Sequence, residues 1–228
     1  MPTFKKCFLS IVTVILALGT MTTSAFALII NGGFETGDFT GWAITTGGGN
    51  PQYGISDHNI VPSVFVNGGN YQASLSTGPS GSFTPSSVAM TQIISANSGD
   101  FISFDYNFST LEIPLQNPIF QSIEDSFNDT ALFRITNMNF PANSYAISIA
   151  DAKYLNKQGN QNFQYAISDN GVYELSISIF DVGDQERNSQ ISIDNIQQIT
   201  TVPEPSTLIL LVAGFVGLAA YGRKMFNK

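Results

Sequence analysis

The chain has 228 residues, of which 43% are hydrophobic and only 11% charged, and it carries a formal charge of −8. Residues 28–202 are more lopsided still, with four Lys and Arg against sixteen Asp and Glu, a formal charge of −12. Neutralising phosphates takes clustered Lys and Arg, so nucleic acid is excluded as a partner. The one cysteine, Cys7, precedes this region, which therefore has no disulfide, thiol nucleophile, zinc–cysteine site or iron–sulfur cluster.

The chain opens with Lys5 and Lys6, then the apolar run Phe8 to Leu18, then Ala25-Phe26-Ala27. A basic stretch, an apolar stretch and a small-x-small site in that order predict a signal peptide over 1–27, cut by signal peptidase after Ala27. The alternative is a retained N-terminal anchor. In either case the segment exports the domain C-terminal to it, and the mature chain begins at Leu28.

From Leu28 the sequence is rich in Asn, Gln, Ser, Thr, Gly and aromatic residues and lacks long helical stripes. Period-two alternation predicts strands at Phe101 to Phe108, Ala131 to Ile135, Tyr145 to Ile149, Tyr173 to Phe180 and Gln190 to Ile199. In the fourth, Tyr173, Leu175, Ile177 and Ile179 fall on one face, with Glu174, Ser176 and Ser178 on the other. In the fifth, the alternation shifts after Asp194, where a bulge or a metal-ligating carboxylate is expected. Turn signals lie at Asn67-Gly68-Gly69-Asn70, Ser98-Gly99-Asp100, Asp169-Asn170-Gly171 and Asp181-Val182-Gly183-Asp184. Of these, Asp169-Asn170-Gly171 reads as the hairpin, because a strand comes directly after it. Gly47 to Gly54 and Glu112 to Asn128 lack periodicity, and the second, with Pro114 and Pro118, reads as a surface excursion. Frequent strands and turns without interleaved helices predict an all-β fold, an antiparallel β-sandwich of jelly-roll type, as one domain over 28–202.

The chain closes with Val202-Pro203-Glu204-Pro205-Ser206-Thr207, an uncharged apolar run to Tyr221, and Arg223, Lys224 and Lys228. A helix over 207–221 covers roughly 22 Å, short of the roughly 30 Å hydrocarbon core. It is apolar on every face, however, and Arg223 and Lys224 flank it with stems that snorkel to the interface. A transmembrane helix is therefore expected, with its basic end in the cytoplasm by the positive-inside rule. Both termini thus place residues 28–202 outside the cytoplasm. The alternative is a hydrophobic terminal helix of the domain itself.

Pro-Glu-Pro, a short apolar helix and a basic cluster at the C-terminus resemble the PEP-CTERM sorting signal of Gram-negative surface proteins, here over 203–228. The resemblance implies recognition by an exosortase, a membrane-embedded cysteine protease-transpeptidase. It implies cleavage near Pro203, Glu204 and Pro205 after transient anchoring in the inner membrane, and delivery to the cell surface or an extracellular matrix. The alternative is a tail anchor that is never cut.

The mature region opens with Ile30-Asn31-Gly32-Gly33-Phe34-Glu35-Thr36-Gly37-Asp38-Phe39-Thr40-Gly41-Trp42 and ends with Ser192-Ile193-Asp194-Asn195-Ile196. This pairing is similar to galactose-binding-like jelly rolls and carbohydrate-binding modules. In those, an Asn-Gly-x-Phe-Glu segment opens the domain and an Asp on the last strand lies beside it. The resemblance implies a structural calcium held by Glu35 and Asp194; otherwise Glu35 is a solvated turn residue and Asp194 a carboxylate accepting N–H groups. It also implies sugar binding, and together with the sorting signal it makes exopolysaccharide the candidate partner. Sugar rings stack on exposed aromatic faces, for which Trp42, Tyr53 and Tyr71 are the candidates. Trp42 reads equally as a core anchor after the Gly41 turn.

No catalytic residue is assigned. Ser56-Asp57-His58 is contiguous in sequence, whereas a triad is assembled in space. The sequence has no phosphate-binding Gly-rich loop, metalloprotease His-Glu pair or Gly-x-Ser-x-Gly elbow. A non-enzymatic binding or structural protein is expected. The rival reading is a secreted polysaccharide hydrolase using a pair of carboxylates.

If the tail is processed as its resemblance implies, mass spectrometry of the mature protein will find no peptide from Leu208 onward. An abundant intact C-terminus would show that the tail stays attached.

Overall fold

A computed structural model describes residues 28–57, 65, 69–78, 85–111, 128–152, 159–182, 187–200, 213, 214 and 217. The expected signal peptide, His58, most of the Glu112–Asn128 excursion and the Pro203–Glu204–Pro205 motif lie outside the described residues, as do Arg223 and Lys224. So do Asn67, Gly68, Gly183 and Asp184 of the turn signals. Of the expected tail helix, Ala213, Gly214 and Gly217 are described, and they are helical and exposed. Among the described residues no helix is long and apolar enough to cross a membrane.

The described residues form strands β1 (Ala43–Gly47), β2 (Gln52–Asp57), β3 (Tyr71–Ser76), β4 (Ser87–Ala96), β5 (Phe101–Thr110), β6 (Thr130–Asn137), β7 (Tyr145–Asp151), β8 (Gly159–Ala166), β9 (Gly171–Phe180) and β10 (Ser189–Ile199). A 3-10 turn, Pro141–Asn143, joins β6 to β7. The strands make two five-stranded sheets, ordered β1-β4-β9-β6-β7 and β2-β3-β10-β5-β8, and every pairing is antiparallel. This is the expected all-β sandwich.

Burial follows the period of two. On β9, Tyr173, Leu175, Ile177 and Ile179 face inward and are buried. They meet Ile191 and Ile193 of β10, Phe104 and Phe108 of β5 and Phe133 of β6 in one core. Near the β7 and β8 edges the core is aromatic. Phe133 and Phe163 lie 4.6 Å apart between ring centres, and Tyr145 and Tyr165 also lie 4.6 Å apart. A large aromatic core is what a body without disulfides needs, since burial must supply the stability that cross-links would give.

Two expectations change. Asp169-Asn170-Gly171 is not a hairpin: it carries the chain from β8 in one sheet to β9 in the other. Ser98-Gly99-Asp100 likewise leads from β4 to β5, across the sandwich. Gly47 to Gly54, expected to lack periodicity, holds the end of β1 and the start of β2. The expected bulge is present, as the β10–β5 register breaks between Asp194 and Gln197 and Asn195 takes a φ of 53°.

One end of the sandwich is fastened by a buried acid. Asp129, with no exposed surface, precedes β6 and accepts the Val182 N–H (3.1 Å) and the Thr77 hydroxyl (3.3 Å), while its carbonyl accepts the Ala152 N–H (2.9 Å). It thereby ties together the ends of β3, β7 and β9. Burial, aided by the neighbouring Asp181 charge and opposed by the Ser189 and Val182 hydrogen bonds, pushes its pKa from 3.8 up to about 6. The folded chain therefore holds this proton where the unfolded chain has released it. Its contribution is complete below about pH 4 and is lost as pH rises through about 6. The shift corresponds to about 3 kcal/mol across that window. Urea unfolding at pH 4.5 and 7.5 will show wild type losing stability relative to Asp129→Asn by an amount of this order. Parallel pH profiles for the two proteins would remove Asp129 as the cause.

Candidate functional site

The opening segment closes one side of the sandwich. Phe34 is fully buried and lies 6.0 Å from both Phe39 and Trp42. Its φ of 55° is unusual for an aromatic residue and is held by turn hydrogen bonds, Phe34 N–H to the Asn31 carbonyl (3.2 Å) and Gly37 N–H to the Phe34 carbonyl (2.9 Å). Gln92 of β4 clamps both ends of the segment: its side chain accepts the Ile30 N–H (2.8 Å) and donates to the carbonyls of Ile30 and Gly41 (2.9 Å each). On the other side the Ile196 N–H donates to the Gly32 carbonyl (2.9 Å). Gly32 is required there, because a Cβ would lie 1.9 Å from the Ile196 carbonyl oxygen.

Glu35 is committed to β3. One carboxylate oxygen accepts the backbone N–H groups of Asn70 (2.8 Å) and Tyr71 (3.1 Å), and the other accepts the Asn70 side-chain amide (3.3 Å). Asp194 has no exposed surface and accepts the Asn195 N–H at 2.7 Å. Gly33 lies between the two acids: a Cβ there would be 3.8 Å from a carboxylate oxygen of Asp194 and 3.8 Å from Cγ of Glu35. Asp105, which nothing in the local sequence singles out, sits directly opposite Asp194 on β5. Like charges opposed across strands repel. Asp105 is stabilised by the side-chain amides of Asn162 (2.8 Å) and Asn195 (2.9 Å). Among the described residues no three His, Cys, Asp or Glu side chains gather as a metal-binding group. Asp194 and Asp105 carry hard oxygens of the kind calcium takes, and a cation would relieve the opposed pair, whereas the Glu35 oxygens are held at Asn70 and Tyr71.

The three aromatic candidates do not share one open face. Trp42 is 7% exposed and its indole N–H donates to the Asn31 carbonyl (3.3 Å), which makes it a core anchor in this structure. Tyr71 is half-buried, with its ring against Gly37. Tyr53 is 52% exposed and stands edge-on to Phe39 at 5.9 Å.

A concave site lies elsewhere, on the outer face of the first sheet. Thr45, Ala89, Ser178, Leu132 and Ser148 form one row across β1, β4, β9, β6 and β7. The small side chains of Thr45, Ala89 and Ser178 leave a trough of about 300 Å³, bordered by Leu132, Arg134 and Phe180. Ligand sites begin at about this volume. The trough thus combines hydroxyls, two apolar side chains and a guanidinium. Alternation would have found Phe180, which falls on the polar face of β9 with Ser176 and Ser178. The trough itself depends on which strands are neighbours.

Residues 201–224 match the PEP-CTERM protein-sorting motif. Among curated proteins, none matches the chain. Among solved structures, the chain is similar to TmCBM61 in complex with β-1,4-galactotriose, with 12% identity, 76% of this chain and 98% of that one covered, and a TM-score of 0.47. It is similar to the non-crystalline cellulose specific module CBM28, with 14% identity, coverage of 74% and 92%, and a TM-score of 0.42. It is also similar to the enzymatically active domain of bacteriophage CBA120 tailspike protein 4, with 14% identity, coverage of 75% and 21%, and a TM-score of 0.44. The chain therefore combines a PEP-CTERM sorting motif, which implies exosortase processing and an exported surface protein, with a two-sheet β-sandwich.

Proposed function

We infer that this is a surface-sorted, non-catalytic glycan-binding protein, with exopolysaccharide of the cell envelope or matrix as its partner. The observation that carries the reading is the trough on the outer face of the first sheet. It offers hydroxyls at Thr45, Ser87 and Ser178 for hydrogen bonds to a sugar, and the Phe180 ring and Leu132 for the C–H face of the sugar ring. Tyr53, exposed on β2 of the second sheet, is a candidate stacking surface apart from the trough, whereas Trp42 and Tyr71 support the fold around it.

Among the described residues the hydrolase reading has two neighbouring acid pairs in its favour, Asp105 opposite Asp194 and Asp129 beside Asp181, and Asp129 is fully buried. Asp194 is fully buried and Asp105 is held by two amides. A polysaccharide has no access to both carboxylates of either pair, which favours binding over cleavage. We also propose a structural calcium at Asp194 and Glu35, which would fasten the opening segment to the last strand.

Glycan-array binding of the purified protein tests the main reading. Ser178→Trp fills the trough and is expected to weaken retention roughly tenfold or more while the melting temperature stays within a few degrees. Unchanged retention would move the site elsewhere. For the metal, chelation should lower the melting temperature of wild type, and Glu35→Ala should abolish the difference between calcium-loaded and chelated protein. No shift on chelation in wild type would reject the ion.

A further inference from the structure

Building on the glycan-binding reading, we propose that the trough selects sugar units bearing a carboxylate, with Arg134 as the residue that recognises it. The charge pattern of the first sheet carries this inference. β1 and β4 have no charged residue. β7 has only Asp151, which is 4% exposed, and β9 has only Glu174. β6 has only Arg134, which is exposed and borders the trough.

Arg134 stands between Ser176 on β9 and Ala146 on β7, so neither direct neighbour is an acid. Glu174 is one step further along the same face of β9, opposite Thr136 and Ile93. That is a diagonal of about 7–8 Å between backbones. Among the described residues nothing donates to, accepts from or ion-pairs with the Arg134 side chain. Arg187, by contrast, is engaged by the fold, its Nη1 donating to the Leu111 carbonyl at 2.9 Å.

Residues 28–202 carry a formal charge of −12, with only four Lys and Arg among sixteen Asp and Glu. A guanidinium with no acid bonded to it among the described residues, and only Glu174 diagonal to it, is the local exception beside this concavity. Its planar fork matches a carboxylate bidentately. The surrounding Thr45, Ser87 and Ser178 hydroxyls suit the neutral hydroxyls of the same sugar unit, and Phe180 and Leu132 suit its apolar face. A uronic acid presents all three kinds of group on one ring. The negative body repels a polyanion as a whole, so attraction comes from this one contact and is screened by salt.

The test measures binding of the purified protein to a panel of polyuronates of differing stereochemistry, each paired with its neutral methyl ester, at low salt. Wild type is expected to prefer at least one acid over its ester by roughly tenfold. Arg134→Gln should bring acid and ester within about twofold, the acid losing far more affinity than the ester while the melting temperature holds, and Arg134→Lys, a point charge without the fork, should restore only part of the preference. Two results would overturn the inference: no acid preference in wild type, or a preference that survives Arg134→Gln. Ester binding that Ser178→Trp removes, without acid preference, would overturn this inference alone and leave the glycan reading standing. Panel binding that is indifferent to Ser178→Trp would overturn this inference and move the glycan site elsewhere, and retention of neither acid nor ester, nor of any other glycan, would overturn both.

Discussion

The approach of Gly32 to Ile196 is the contact on which the rest of the sandwich depends. The backbone hydrogen bond between them holds the opening segment to the last strand, and only a residue without a Cβ leaves room for it. Around this point lie the non-glycine residues that take positive φ among the described residues. Asn31, Phe34 and Asn195 all take positive φ, at 51°, 55° and 53°. Such conformations persist only where the surroundings over-determine them. Here the surroundings are the buried Phe34 ring, the Gln92 clamp from the first sheet and the Glu35 cap on β3 of the second. The segment therefore joins both sheets, and it does so without a cross-link.

This explains why the opening motif reads as functional in sequence and as structural in space. Glu35 and Trp42 have the chemistry of a ligand site, a carboxylate and a large aromatic ring. The fold commits the first to β3 backbone N–H groups and the second to the core. A short polar and aromatic motif does not reveal by itself whether its groups turn outward or inward. That is settled by which elements close over it, here β3, β4 and β10, whose residues are dozens to more than a hundred positions away.

The same distinction separates what was legible from what was not. Strands β5, β6, β9 and β10 announce themselves by alternation, and the slip after Asp194 marks the bulge. β8, with Asn160, Gln161, Asn162 and Gln164, has few apolar residues to alternate, so it carries little periodic signal. The Asp169-Asn170-Gly171 turn was legible as a turn, but not as a crossing between sheets. Turn chemistry is local, whereas sheet membership is decided by which partner strand buries the apolar face. The trough is the extreme case. Its floor residues Thr45, Ala89 and Ser178 are unremarkable singly, and they become a concavity only because β1, β4 and β9 lie side by side.

That arrangement also separates stability from recognition within single strands. On β9, the inward set Tyr173, Leu175, Ile177 and Ile179 is buried in the core, while Ser178 and Phe180 on the opposite parity shape the trough. On β6, Phe133 and Ile135 are buried and Leu132 and Arg134 form the wall. Because the side-chain period of a strand is two, substitutions on the outer parity alter the trough without touching the core. A sheet face of this kind can change its ligand while the fold stays constant. An exported domain with no disulfide gains most from that separation, since its inward residues alone must hold the two sheets together.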